Sequence, residues 1–447
     1  MVADPDLGGD RNGDLDGLAR AYVRLALRLD RVVPGVLDAH LGDPADASRV
    51  AAEPVPHPSD LVRETDRLRA DLARGPRTSR TAFLDAQLRA CRVLAERAGG
   101  HEVGFVDEVE RCFGVRIGRG EPDRYREAHR DLDALIGGSG PLHERLAAVR
   151  DRDRLVPDHL PAALTAAVRA LRERTAGTVG LPPGEDVTLE VVDTAPWSGF
   201  SRWVGPRRST ITVNGGIGHR VTHLPLLVAH EAYPGHHTEH CRVAAARAAG
   251  EGRPEREVFL ARTPQSLVAE GAAELGLETV VGPGWGRWNA EVLADAGVPV
   301  DPERAAVGEA VEAVMARLAP VRQDAALMLH AEHRPDADVV AHLRRWLLVD
   351  EARARRMLEF LAHPRWRAHT TTYVEGVRLL RPWLTGPGDG VAAVTARLAR
   401  VLDDPPTPEE LRGGAGAPAR RPTAGRAGWA PWLRRTVGLP RALPENR

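Results

Sequence analysis

The stretch that decides how this chain is read is Leu224-Pro225-Leu226-Leu227-Val228-Ala229-His230-Glu231-Ala232-Tyr233-Pro234-Gly235-His236-His237. An apolar run leads into a His-Glu pair, and two more imidazoles follow within two helical turns. A His-Glu pair on a helix with further His downstream is how a zinc hydrolase holds its metal and keeps a carboxylate beside the attacking water. The surroundings point the same way. Six of the 17 histidines, at 219, 223, 230, 236, 237 and 240, fall within 22 residues, where even spreading gives about one.

The spacing departs from His-Glu-x-x-His, in which the two imidazoles lie about 40° apart around the helix and about 6 Å apart along it. Here position i+4 is Pro234. On a regular helix His237 would return to within about 20° of His230, but about 10.5 Å along the axis, too far to share one metal. Pro234 offers no N–H to the His230 carbonyl, and Gly235 accepts dihedrals that other residues resist. A kink or bulge is therefore expected between the two, and it would bring His236 back to the metal. His236 and His237 are rivals for the second ligand.

A catalytic zinc takes three protein ligands and leaves one position for water. Downstream, Pro264 starts a helix whose apolar face is Leu267, Val268, Ala272 and Leu275, and Glu270, Glu274 and Glu278 share another side of it. Glu270 is the expected third ligand. Further on, His369 and Tyr373 are i and i+4 neighbours on one helical face, from which either can donate to a developing oxyanion.

The chain has 447 residues, a formal charge of −1 and 28% charged residues, with no electrostatic footprint for nucleic acid or membrane. Every one of the 61 basic residues is Arg, which excludes Schiff-base lysines, Walker-type phosphate lysines and Ser-Lys dyads. Three widely spaced cysteines, Cys91, Cys112 and Cys241, indicate neither a disulfide framework nor a thiolate zinc site. Residues 1–16 are acidic and Gly-rich without a signal pattern, and no apolar run approaches the ~20 residues of a membrane span, so a cytoplasmic enzyme acting on a peptide or small molecule is expected.

The fold class expected is mainly α. Helical spacing begins at Leu18 and continues past the Pro34-Gly35 break through Val36, Leu37 and Leu41. Further helices are expected at 59–74, 79–98, 123–136, 142–150, 157–175, 302–319, 321–332 and 336–361. The alternating β-branched runs at 187–192 and 209–213 read as a small sheet before the metal helix. In helical metallopeptidases an edge strand beside the metal receives the substrate backbone; a plain structural hairpin is the alternative. Residues 17–411 form the expected metallohydrolase domain, with its metal centre in 187–280 and 365–383. A flexible stretch, 1–16, precedes it, and a basic Gly/Pro/Arg-rich tail, 412–447, follows.

The segment His230 to His236, read as H-E-x-x-P-G-H, resembles the bacterial domain-of-unknown-function 885 family, zincin-like proteins related to the thermostable carboxypeptidase type. The blocks Tyr22 to Gly35, Asp38-Ala39, Cys112 to Val115, Ser209 to Asn214, Pro264 to Gly271 and Trp366 to Gly376 follow in the family's order. The resemblance implies His230, His236 and Glu270 as metal ligands, Glu231 as general base and Tyr373 as oxyanion partner. Ala272, Glu239 and His40 depart from the family's usual Trp, Gln and aromatic residue, which bears on substrate preference. The resulting expectation is a zinc-dependent hydrolase of small peptides, of carboxypeptidase or oligopeptidase type. A hydrolase of a non-peptide amide or ester is the alternative, and a metal-bearing binding protein without catalysis is a third.

Overall fold

The computed structural model describes residues 9–195, 197–386 and 388–414. The start of the expected N-terminal stretch and nearly all of the tail expected at 412–447 lie outside them. The described chain is mainly α-helical with two small sheets. No helix among the described residues is long and apolar enough to cross a membrane.

The first half is a helical scaffold. Its helices are α1 (Gly9–Val32), α2 (Pro44–Ala52), α3 (Pro58–Leu72), α4 (Ser79–Ala98), α5 (Phe105–Phe113), α6 (Pro122–Ile136), α7 (Leu142–Arg152) and α8 (Leu160–Thr178). The one-sided apolar spacing of α1 buries Ala19, Tyr22, Leu25, Ala26 and Leu29 almost completely, each large side chain contributing about 1.5–3 kcal/mol of transfer free energy. Thr78 starts α4 with a reciprocal capping box to Thr81, and Pro58 and Pro122 start α3 and α6 where a missing N–H costs nothing. α1 begins inside the stretch 1–16.

Helical spacing does not continue past Pro34-Gly35. The Asp30 carboxylate accepts the N–H groups of Gly35 (2.9 Å) and Leu37 (3.1 Å), with Gly35 at φ 74°, and the chain leaves α1 as strand β1 (Leu37–His40). β1 pairs antiparallel with β5 (Val258–Leu260). Four residues are too few for period 2 to be told from period 3.6, so the partner strand decides.

The second sheet comprises β2 (Asp186–Val192), β3 (Gly199–Gly205) and β4 (Arg208–Asn214), in the order β2-β4-β3. The two runs foreseen as strands are parallel neighbours, with Asp186 opposite Arg208 and Val192 opposite Asn214, so they are not a hairpin. β3 pairs antiparallel with β4 and forms an edge. It packs against α9 (His223–Glu231) and α10 (His236–Ala248).

The remaining helices are α11 (Pro264–Glu274), α12 (Gly276–Val280), α13 (Trp285–Asp295), α14 (Pro302–Ala316), α15 (Pro320–His330), α16 (Asp336–Leu347), α17 (Glu351–Ala362), α18 (Thr370–Leu384), α19 (Val391–Asp403) and α20 (Pro408–Gly413). The single helix expected at 336–361 is two: Leu348 sits at φ 54°, and the Asp350 carboxylate caps α17 by accepting the Arg353 N–H at 2.7 Å. α11 and α18 cross at Gly271 and Gly376. A Cβ on Gly271 would lie 2.5 Å from the Gly376 carbonyl carbon and 2.7 Å from its oxygen. Only hydrogen at that position lets the two backbones touch, and this contact brings the acidic face of α11 to the start of α18.

Candidate metal centre

The helix expected to carry His230 and His236 is broken completely, where a kink or bulge was expected. α9 ends at Glu231, Ala232 leaves helical dihedrals (φ −121°, ψ −79°), and α10 starts at His236. The Tyr233–Pro234 peptide is cis. The Gly235 N–H reaches back to the Ala229 carbonyl (2.9 Å) and the Thr238 N–H to that of Ala232 (3.2 Å), both longer spans than an α-helix makes. A side chain at 235 would put its Cβ 2.5 Å from the Ala229 oxygen, so the residue must be glycine. The Pro234 ring rests over Gly276, where a Cβ would approach it to 3.0 Å.

The break folds His236 back onto His230, with ring centroids 4.7 Å apart at 87°. Their Nε2 atoms are 3.1 Å apart. From α11, Glu270 places Oε2 3.2 Å from His230 Nε2 and Oε1 3.7 Å from His236 Nε2. A tetrahedral zinc with bonds of 2.0–2.1 Å requires ligand atoms about 3.3 Å apart. Glu270 Oε2 is buried and, despite its nearness to His230, has no hydrogen-bond partner. One ligand atom from each of the three half-buried residues thus lies within 4.8 Å of the other two, a cluster that a zinc ion can draw together, and the donor set suits it. Glu274 Oε1 lies 3.4 Å from the other nitrogen of His230, where a carboxylate fixes the orientation and tautomer of a ligand imidazole. The sequence put Glu274 on the right side of the helix without giving it this part.

The electrostatics are those of groups that hold one another in place of a cation. Burial opposes the His230 imidazolium, but Glu270 and Glu274 outweigh it and hold the pKa well above the usual value. Burial likewise pushes the Glu270 carboxyl up, while His236 and His230 pull it well below the carboxylate range.

Glu231, next along α9, is 8% exposed, and among the described residues its carboxylate makes no hydrogen bond or ion pair. Edge strand β3 begins beside it: a Cβ on Gly199 would lie 3.5 Å from Glu231 Cγ and 2.7 Å from Leu227 Cδ1. β3 is the strand of this sheet that the sequence did not give, because its Gly-Phe-Ser-Arg-Trp-Val-Gly run has no β-branched alternation. His369 Nε2 is 3.0 Å from the Tyr373 hydroxyl and 3.6 Å from Glu270 Oε1. Burial, then Glu270, Glu274 and Glu231, raise the Tyr373 pKa well above 10, so the phenol stays protonated and able to donate.

His237, the rival ligand, points away. Fully buried, its Nδ1 lies 2.8 Å from Ser209 Oγ and its Nε2 3.1 Å from Glu185 Oε2. Glu185 also accepts from the Tyr233 hydroxyl (2.5 Å) and from Arg172 (2.7 Å). Burial raises the Glu185 carboxyl, but His237, Tyr233 and Arg172 more than reverse it. The network grips the chain on both sides of Pro234-Gly235. Of the other clustered histidines, His219 bonds the Asn214 carbonyl at 2.8 Å, and His240 packs edge-on against Trp203 and Phe259.

One acidic residue at the site was not foreseen. Asp38 of β1 keeps contact with solvent, yet it is so surrounded that burial, followed by the nearby Glu270, pushes its carboxyl up to about 7.

Neither a protein-family model nor a curated protein matches the sequence, so the family resemblance remains a reading of its motifs. Among solved structures the chain is similar to a "putative lipoprotein" from Colwellia psychrerythraea, at 13% identity and a TM-score of 0.44, covering 83% of this chain and 69% of that one. It is also similar to the M32 carboxypeptidase of Deinococcus radiodurans R1, at 14% identity and a TM-score of 0.39, covering 92% of this chain and 95% of that one. At such values the likeness is a distant one of chain trace and says nothing of activity.

Proposed function

We propose that the protein is a zinc-dependent hydrolase that cleaves peptide bonds of small peptides. The observation that carries this reading is the convergence of His230 Nε2 and His236 Nε2, 3.1 Å apart, on the Glu270 carboxylate, whose Oε2 is 3.2 Å from the first and Oε1 3.7 Å from the second, beside a Glu231 carboxylate without a partner among the described residues. His230, His236 and Glu270 would hold the zinc, which supplies Lewis acidity, polarising a carbonyl and making water acidic near neutral pH. Glu231 takes the proton of the attacking water and passes it to the leaving amine. Tyr373, protonated and held by His369, donates to the carbonyl oxygen as negative charge collects there. The unpaired edge of β3, whose first residue Gly199 lies beside Glu231, offers backbone groups to an extended peptide.

The test is a peptide-library digest by the zinc-loaded protein, read by mass spectrometry. Trimming of short peptides is expected. Turnover of simple amides or esters with no peptide cleaved would assign the site to another hydrolase, and zinc without any turnover would make it a binding protein.

A further inference from the structure

The helical scaffold carries a second charged cluster. On α4, Asp85, Arg89, Arg92 and Glu96 recur at helical spacing and form one stripe. α4 packs on α3 and on α5, which bring Arg69 and Arg111 to that stripe. Arg69 Nε lies 2.8 Å from Asp85 Oδ1, and Arg111 Nη2 lies 2.5 Å from Glu96 Oε2. Arg69, Arg89, Arg92 and Arg111 line one open groove of about 240 Å³, and no carboxylate lines it with them.

Carboxylates hold three of these side chains by the inner nitrogen. Asp85 reaches Nε of Arg69 and, at 3.4 Å, Nε of Arg89, while Asp66 of α3 reaches Nε of Arg92 at 2.8 Å. Glu96 bridges Arg92 and Arg111. Among the described residues this leaves both terminal nitrogens of Arg69 and of Arg89, Nη2 of Arg92, and Nε and Nη1 of Arg111 without a hydrogen bond. Asp66, Asp85 and Glu96 are also the only carboxylates among the described residues in ion-pair contact with the four arginines, so one positive charge is unmatched. Exposed ion pairs contribute little to stability, and a fourth guanidinium without a carboxylate of its own adds repulsion. A brace between helices has no use for that surplus, whereas an anion site does.

We infer that Arg69, Arg89, Arg92 and Arg111 form a binding site for a phosphate dianion, free or as the head of a small phosphate monoester. The unused donors come to the groove from three helices, so a matching ligand has acceptors facing several ways. A phosphate monoester offers three strong acceptor oxygens and a charge of about −1.5 to −2 at neutral pH, whereas a carboxylate presents two oxygens in one plane to one arginine fork. Arginine suits such an anion because its fork is planar and always charged, and here the carboxylates fix it in place beforehand. The groove is smaller than the roughly 300 Å³ at which pockets begin to take drug-sized ligands, so it holds the phosphate group itself and leaves the rest of an ester outside. None of the four arginines belongs to the metal centre, and the inference stands apart from the hydrolase reading.

Calorimetric titration of the full chain with inorganic phosphate, glycerol 3-phosphate and glutarate, near neutral pH and at low salt, tests this. Phosphate should bind once per chain, more tightly than glutarate, and more weakly as sodium chloride is added. In Arg69→Gln/Arg89→Gln its affinity should fall by about tenfold or more. Tighter binding of glycerol 3-phosphate than of phosphate would identify the ester as the ligand, and the reverse order the free anion; both keep the site. No phosphate binding by the parent would reduce the four arginines to a brace and overturn the inference. Binding unchanged in the double variant would overturn it too, because the anion would then sit elsewhere, the metal centre included. Glutarate binding more tightly than phosphate would remove the phosphate assignment. Thermal melts establish that the double variant is folded, and Arg111→Gln, with the same loss expected, replaces it if it is not. The parent should also melt higher in phosphate than in sodium chloride of equal ionic strength, and the variant should lose that difference.

Discussion

The Nε2 atoms of His230 and His236 stand 3.1 Å apart, although six residues of regular helix would separate their positions by about 9 Å along the axis. The break at Ala232–Gly235 brings them together, and Glu270 completes the set from another helix. His236→Ala and His230→Ala should each lose stoichiometric zinc, measured by elemental analysis after dialysis against a weak chelator. A His236→Ala chain that keeps one zinc would remove His236 from the set.

His237→Ala should keep its zinc and lose stability. The substitution takes a hydrogen-bond partner from Glu185 and from Ser209, both buried, at a cost of about 1–3 kcal/mol. Urea unfolding and zinc content on one preparation check this. Lost zinc with unchanged stability would restore His237 as a ligand.

Much of this centre was legible in the sequence. Pro234-Gly235 announced a distortion that favours His236, and the near-helical spacing of 270 and 274 from Pro264 placed the carboxylates. What the sequence did not show depends on long-range partners. β1 exists because β5 lies beside it, and β3 carries no alternation of its own. Asp38 reaches the site only through that pairing. The role of His237 depends on Glu185, 52 positions away, and no local pattern reports such a contact. The break of 336–361 rests on one non-glycine residue, Leu348, in the left-handed region, which composition does not signal.

Gly271→Ala should damage both fold and site. Its methyl group would meet the Gly376 backbone, and overpacking of this kind costs about 1–3 kcal/mol. Because α11 carries Glu270 and α18 carries Tyr373 and follows directly on His369, separation of the helices should weaken zinc affinity as well. Competition with a chromophoric chelator reads the affinity, and unchanged affinity together with unchanged stability would show that the crossing is not tight.

Asp38 gives a pH dependence of known sign. Its folded-state pKa, about 7, exceeds the unfolded value of about 3.9. The native state therefore binds the proton more tightly between those limits, and the carboxyl costs stability progressively as pH rises through that window. In metal-free protein, Asp38→Asn should melt higher than the parent at pH 8, with the difference shrinking towards pH 4. A difference that grows on acidification would contradict the raised pKa of this group.

The most direct measurement is zinc content and peptide turnover on a single preparation of Glu231→Gln. Glutamine keeps the shape and can still hydrogen-bond water, but it cannot accept a proton at neutral pH. The variant should fold, hold one zinc per chain and lose turnover by roughly 10²- to 10⁴-fold. Full zinc with undiminished turnover would contradict the assignment of Glu231 as general base and, with it, the mechanism proposed for this site.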